Sequence, residues 1–468
     1  MDATSRSASL YYRLPASLQN LVLYGEGRRR ARIRFGSAFN ERLEFLRGSD
    51  LWGAARIREY QDAQVAAIVE KAYRETDYYR QIMDERGLGP EDIRGVTDLA
   101  KLPILTKEDI RENRHRMVTS TATVRQLHTI HTSGSTGPPM RILTPKEGLA
   151  FKWAVWWRHR ERFGISRGAR NASVSSTPWV PAEQQQPPYW RWNRVENQAF
   201  IPLQQIVPAK IESIVRFLNT HQFGFWTGYP SILHSLVIAA TEAGLEATNG
   251  PRVIFTGAER LFDHQRADLA AFTGAVVSQM YGFNEAAGNA SECPAGNLHE
   301  DFEFGHMKCV NPVVDEDTGN IRGRIVATGF SNAAMPLIRY EVGDVGVWRP
   351  DGYACPCGRA TRVLAAVDGR VEDYVVTPRG HRVRRVGDIF ASLPDLKQFQ
   401  IIQTRPEDIT IRLVVRDPFG QHQEDLLRRR AGLWISDSLT VNFEYVDAIE
   451  PAPNGKVRIV VGLISDDR

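Results

Sequence analysis

The sequence predicts an α/β protein. A large N-terminal domain with a helical lead-in and mixed, largely parallel sheets precedes a small α+β C-terminal domain. Three observations carry this. At 468 residues the chain exceeds the length over which one hydrophobic core keeps growing, so more than one domain is expected. Its first part places apolar residues at helical spacing. From about residue 125, short apolar β-rich runs alternate with helical stretches, the pattern of a largely parallel sheet.

In the lead-in, residues 1–115, the stretch from Trp52 to Ile57 runs into Val65, Ile68, Val69 and Ala72, spaced for one helix face. Leu102 to Leu105 reads as an extended entry, with Thr106 as the N-cap of a short helix. Strand-like runs follow at 170–175, 223–227, 253–256 and 276–280. Gln184 to Pro188 reads as a loop. A turn is expected at Val367-Asp368-Gly369-Arg370, which sets the boundary between a domain of residues 1–370 and one of residues 371–468.

Composition narrows the classes of function. Lys+Arg 59 against Asp+Glu 55 gives +4, too weak a field to point to nucleic acid. The basic runs Arg28 to Arg34 and Arg428 to Arg430 read as solvated helix faces. No basic n-region with an apolar core follows Met1 and no apolar run is long enough for a membrane span, so a cytoplasmic location is the default expectation. Nothing in the sequence fixes the oligomeric state.

The strongest local signal is the loop His131-Thr132-Ser133-Gly134-Ser135-Thr136-Gly137-Pro138-Pro139, directly after the apolar run 127–130. Its glycines allow backbone N–H groups to line a concavity and its hydroxyls add donors, which suits a phosphate chain; a Ser/Gly linker is the alternative. No Gly-Lys-Ser/Thr ends it, so it is not a Walker A loop.

This loop resembles the phosphate-binding loop of the adenylate-forming superfamily. From about residue 60 to 465 the chain resembles the phenylacetate-CoA ligase branch, including its relatives from capsular polysaccharide biosynthesis, with further motifs in the family's order. By that resemblance Gly257, Ala258 and Glu259 line the adenine pocket. Tyr281 and Gly282 belong to the motif whose aromatic stacks on adenine, and Glu285 is its magnesium-holding carboxylate. Asn284 stands where the family usually has Thr or Ser, and an amide still donates to a phosphate oxygen. Asp344, in the run Ile338 to Asp344, matches the acceptor for both ribose hydroxyls. Arg370 would reach ribose and phosphate at the hinge, where Glu372 replaces the more usual Asp or Lys. Lys456, in Pro453-Asn454-Gly455-Lys456, matches the lysine that contacts carboxylate and α-phosphate.

The resemblance implies a ligase that uses ATP and Mg²⁺ to turn a small carboxylic acid into an acyl-adenylate, with Lys456, Glu285 and Arg370 catalytic. Acyl transfer to a thiol, coenzyme A first, would follow. An amine or carrier acceptor, or a degenerate binder without chemistry, are the alternatives. A phosphotransferase is disfavoured, because no catalytic Asp/Asn pair has recognisable spacing.

Cys293, His299, Cys355 and Cys357 form a further set. Three thiolates and one imidazole suit a closed, structural Zn²⁺ site, and some relatives in the branch carry a similar set. Unrelated thiols are the alternative, and Cys309 reads as a packed one. Finally, seven of the tryptophans fall between Trp153 and Trp226. The three at helical spacing, Trp153, Trp156 and Trp157, read as core, and the stretch from Pro178 to Trp192 as a lid over an apolar acid.

Overall fold

The computed structural model describes residues 10–131, 140–370, 374–378, 382–383, 386–390, 393, 396–416, 419–451 and 457–462. The lead-in is helical, with helices Ala16–Arg34, Ser37–Ser49, Ala54–Glu75, Asp77–Asp84 and Lys107–Asn113. Helix Ala54–Glu75 buries Val65, Ile68, Val69 and Ala72 along one face, as their spacing dictates. Thr106 caps the last of these helices reciprocally. Its Oγ1 accepts from the Asp109 amide at 3.1 Å, and Asp109 Oδ2 accepts from the Thr106 amide at 2.8 Å.

The chain divides into two compact units, Met1–Leu23 with Arg170–Val277 and Asp368–Arg468, and Tyr24–Ala169 with Ser278–Val367. In the first unit strands Gln198–Pro202, Asn171–Ser175, Phe225–Gly228 and Val253–Gly257 pair in parallel. Helix Pro208–Thr220 lies on the connection into Phe225–Gly228 and helix Pro230–Glu242 on the connection from it to Val253–Gly257, the crossovers that parallel pairing favours. Ala172, Val174, Ile201, Ile214, Leu233 and Ile254 form the centre of the core. Gly228 is obligatory where strand becomes helix, because a Cβ there would sit 2.4 Å from the Val174 carbonyl oxygen.

The last segment has a four-stranded sheet in the order Thr440–Tyr445, Asp408–Val415, Leu396–Arg405, Val460–Val461, with helix Gln421–Trp434. It is the small α+β element the sequence implies. Within the unit it is seated on helix Pro230–Glu242: Lys397 pairs with Glu242, Gln398 Nε2 donates to Ser235 Oγ at 3.3 Å, and Phe399 meets Phe262 edge to face.

The second unit is dominated by antiparallel pairing. Strands Gly305–Val314, Ile321–Gly329, Tyr340–Trp348 and Val363–Arg370 are neighbours in that order, followed by Leu298–Glu300, Asn289–Glu292 and the end of Val276–Gly282. The turn expected at residues 367–370 is therefore corrected: those residues complete a strand, and Gly369 supplies a φ of +104° within it. Gln184 to Pro188 is irregular, as expected. Among the described residues no helix is long and apolar enough to cross a membrane.

Candidate active site and metal cluster

The loop from Thr132 to Gly137 lies outside the described residues, but its two ends do not. Strands His128–His131 and Arg141–Thr144 pair antiparallel, with His131 opposite Arg141. Met140 and Ile142 anchor that ribbon in the core.

In the second unit the structure brings together Tyr281, Glu285 and Asp344. The Tyr281 hydroxyl donates to Asp344 Oδ2 at 2.8 Å, and the Tyr340 hydroxyl donates to Glu285 Oε1 at 2.8 Å. Both carboxylates are buried, at 8% exposure for Glu285 and 7% for Asp344, whereas Asn284 is exposed. Asp344 is no turn cap, since it stands inside strand Tyr340–Trp348. There the pairing with Ile321–Gly329 slips between Arg324 and Val326, and Gly343 takes a φ of +88°. A bulge of this kind redirects the next side chain, here the aspartate. Gly282 must be glycine for a different reason, because a Cβ would come within 2.5 Å of Asn289 Oδ1 on the paired strand.

Lys152 is a neighbour of Glu285 that the sequence reading missed. Burial, opposed by the Glu285 carboxylate and aided by Arg34, brings its ammonium down to about 8. It sits on helix Lys146–Glu161 with its Nζ 5.2 Å from the Trp156 ring.

Gly257, Ala258 and Glu259 belong to the first unit. Ala258 adopts a left-handed φ of +68° at the end of strand Val253–Gly257, and Glu259 Oε2 accepts from the Ser231 amide at 3.2 Å. Glu259 therefore faces the N-terminal turn of helix Pro230–Glu242, where negative charge is favoured. The Arg370 side chain, Glu372 and Lys456 lie outside the described residues.

Cys293, His299, Cys355 and Cys357 converge, their ligand atoms all within 4.8 Å of one another. Cys293 Sγ is 3.8 Å from Cys355 Sγ, and Cys357 Sγ is 3.3 Å from His299 Nε2. Sulfurs about 2.3 Å from a tetrahedral ion stand about 3.8 Å apart, so the set has the dimensions of a four-ligand zinc site. The Thr361 hydroxyl lies 2.8 Å from His299 Nδ1, which leaves Nε2 facing the thiols. Burial, with Arg162 and Arg359 nearby, holds the imidazole down to about 4, hence neutral and able to ligate. Cys309 is apart from the set, packed near the carbonyl oxygens of Gly323 and Gly346.

A buried ionic network surrounds this cluster. Arg158 donates to Asp301 Oδ1 at 2.6 Å and to Glu303 Oε2 at 3.0 Å, and Asp301 Oδ2 accepts from Asn289 and Ser291, each at 2.6 Å. Asp50 accepts from Arg359 at 2.5 Å and from Arg162 at 2.6 Å. Burial alone would raise the Asp50 carboxyl, but Arg359, Arg162 and Arg158 hold it well below the usual range. Through Asp301 and Asn289 the network reaches Gly282, so the cluster and the Tyr281 motif share one polar framework.

The lid expected between Pro178 and Trp192 has a different character. The Tyr11 and Tyr12 hydroxyls donate to the carbonyls of Trp179 and Pro178 at 2.9 and 2.7 Å, and buried Arg191 donates to the Pro188 carbonyl at 2.7 Å. Trp190 stacks on Phe217 with centroids 3.8 Å apart. The segment is therefore anchored at several points.

Residues 375–462 match the family model described as CapK C-terminal domain. Protein CapK of Staphylococcus aureus is 25% identical over 463 residues, covering 97% of this chain and 99% of that protein. The phenylacetate-coenzyme A ligase of Escherichia coli (strain K12) is 35% identical over 328 residues, covering 66% of this chain and 70% of that enzyme. The chain belongs to the phenylacetate-coenzyme A ligase family. Its fold is that of the adenylate-forming ligases: a 2-hydroxyisobutyryl-CoA ligase crystallised in the postadenylation state with R3-HIB-AMP superposes with a TM-score of 0.70 at 17% identity, covering 89% of this chain and 91% of that one.

Proposed function

We propose that this protein is an ATP-dependent, AMP-forming acid–thiol ligase. A carboxylate oxygen of the acid attacks the α-phosphorus of ATP, the bond to pyrophosphate breaks, and an acyl-adenylate forms. The thiol of coenzyme A then attacks the acyl carbon, loses its proton, and AMP departs. The observation that carries this reading is the pairing of Tyr281 with Asp344 beside Tyr340 with Glu285, two buried carboxylates each oriented by a phenol.

In this reading Asp344 accepts from the ribose hydroxyls, since one carboxylate can accept two O–H groups at once. Tyr281 provides the flat surface for adenine, and the loop Thr132–Gly137 cradles the phosphates with backbone N–H groups. Mg²⁺ bound at Glu285 would neutralise charge on the departing pyrophosphate. Tyr340 fixes the direction of that carboxylate, with a bond of 2.8 Å. Lys456 and Arg370 supply positive charge where negative charge builds in the transition state.

Residues 371–468 act as a mobile domain that brings Lys456 in for adenylation and carries it away for thiolysis. The match of residues 375–462 to a separate C-terminal family model supports treating them as a unit. Zn²⁺ held by Cys293, His299, Cys355 and Cys357 would be structural, because four protein ligands leave no position for water or substrate. The demand for ATP and coenzyme A puts the reaction in the cytoplasm.

Pyrophosphate release from ATP across a panel of carboxylic acids, with and without coenzyme A, tests the reading. Acid-dependent pyrophosphate and a thioester product are expected. Bound ATP with neither pyrophosphate nor trapped hydroxamate from any acid would leave a binder without chemistry.

A further inference from the structure

Large apolar side chains that stay exposed are unevenly placed. Of the twelve among the described residues, five lie between residues 10 and 24: Leu10, Leu18, Leu21, Val22 and Tyr24. Clustering of that degree marks a contact surface, whereas single exposed residues carry no such meaning.

The charge of the chain gathers in the same place. Residues 10–34 hold six arginines, Arg13, Arg28, Arg29, Arg30, Arg32 and Arg34, against one acid, Glu26, a net of +5; the whole chain carries +4, so all the rest together is −1. A balanced chain with one cationic segment has a localised electrostatic footprint.

Helix Ala16–Arg34 orders both features. Leu18, Leu21, Val22, Arg28, Arg29 and Arg32 are exposed, while Gln19, Leu23 and Gly27 are buried on the other side. At 3.6 residues per turn the six exposed positions fall in one stripe about 120° wide. Its first turns are aliphatic and its last turns cationic. None of the exposed helix positions is acidic, and Glu26, off the stripe, pairs with Arg29 and Arg30.

We propose that this stripe docks the protein on an anionic lipid bilayer. The aliphatic end enters the boundary between headgroups and acyl chains, and the arginines meet lipid phosphates at the other end. Both halves of the stripe are needed for the choice of partner. Nucleic acid would engage the arginines and leave the leucines in water. A second copy of the chain would bring the same cationic stripe, so charge complementarity favours the lipid surface. The attachment is peripheral, and it goes beyond the ligase reading without depending on it.

Co-sedimentation of the full chain with vesicles tests this. Phosphatidylcholine vesicles alone and vesicles with about 30% phosphatidylglycerol are compared, from about 0.05 to about 0.5 M salt. Binding is expected only with phosphatidylglycerol, falling steeply with salt. Each surface arginine is worth about fivefold in partition, so R28Q/R29Q/R32Q together should weaken binding about a hundredfold. The lysine triple R28K/R29K/R32K should keep most of it, and L18S/L21S should weaken it without changing the salt dependence. Thermal melting of each variant checks that the fold survives, and the salt series on the unaltered chain is decisive even if a variant does not fold.

Absence of binding to anionic vesicles, equal binding to neutral ones, or full binding by the glutamine triple overturns the proposal. So does a dimer in light scattering that L18S/L21S converts to monomer while no vesicle binds, which would make a second copy the occupant.

Discussion

Tyr281 donates to Asp344 at 2.8 Å, which ties the strand ending in the first motif to the bulged strand that carries the second. The aspartate is thus held in place before any nucleotide arrives. If it receives the ribose, Asp344→Ala should raise KM for ATP by about 10- to 100-fold, the scale of a hydrogen bond to a charged group. Tyr281→Phe keeps the ring and loses only the anchor, so an effect several times smaller is expected. Initial rates over an ATP series measure both. Equal effects would mean that the pair serves the fold alone.

Lys456→Ala should slow adenylation about a hundredfold or more, as when one preorganised charge-stabilising donor is removed. Thiolysis of supplied acyl-AMP should change far less. Single-turnover assays of each half-reaction separate the two, and matching losses would argue against a swinging lysine.

Zinc analysis of protein purified without chelator should give about one ion per chain. Cys355→Ser should then lower Tm far more than it lowers kcat of the folded remainder, since the site offers no open coordination position. Protein free of zinc that melts like the Cys355→Ser variant would refute a metal-bearing cluster.

Asp301 joins Arg158 to Asn289 and Ser291 with no exposure of its own. Asp301→Asn leaves Arg158 short of one charge, and breaking a buried pair in this way costs about 3–5 kcal/mol. Denaturant unfolding should show that loss, shared in part because Glu303 still faces Arg158.

Acid stability has a defined source. Burial, with Arg362 and Lys308 beside it, holds His306 down to about 3 against an ordinary value of 6.5. The unfolded chain then binds a proton that the folded one does not, so this contribution is complete above about pH 6.5 and is lost as pH falls toward 3. Between pH 7.5 and 5 the loss is about 1–2 kcal/mol. His306→Asn, which cannot titrate, should show a shallower decline of Tm over that range.

What the sequence made legible was local. Val65, Ile68, Val69 and Ala72 show their helix by spacing alone, and Thr106 with Asp109 shows its cap. The parallel strands stood out as short apolar runs, and the Cys/His set stood out because its residue types are rare. Less visible was whatever needs the third dimension. The Arg158, Asp301 and Glu303 network reads in sequence as ordinary surface charge, and only the packing of strand against helix shows that it is buried. Asp344 follows a glycine and looks like a turn residue until the bulge places it in a strand. The segment from Pro178 to Trp192 looks like a lid because its anchors, Tyr11 and Tyr12, lie more than 160 positions away.

The antiparallel succession Gly305–Val314, Ile321–Gly329, Tyr340–Trp348 also bears on how the molecule assembles. Neighbours in this ribbon are neighbours along the chain, so little loop entropy opposes their meeting, whereas strand Phe225–Gly228 of the first unit meets each of its two parallel partners only after a helix has crossed over. The ribbon should therefore acquire hydrogen-exchange protection early in refolding. Tyr340 and Asp344 both ride on it, so the strand that orients the two carboxylates would be among the first parts of the protein to take shape.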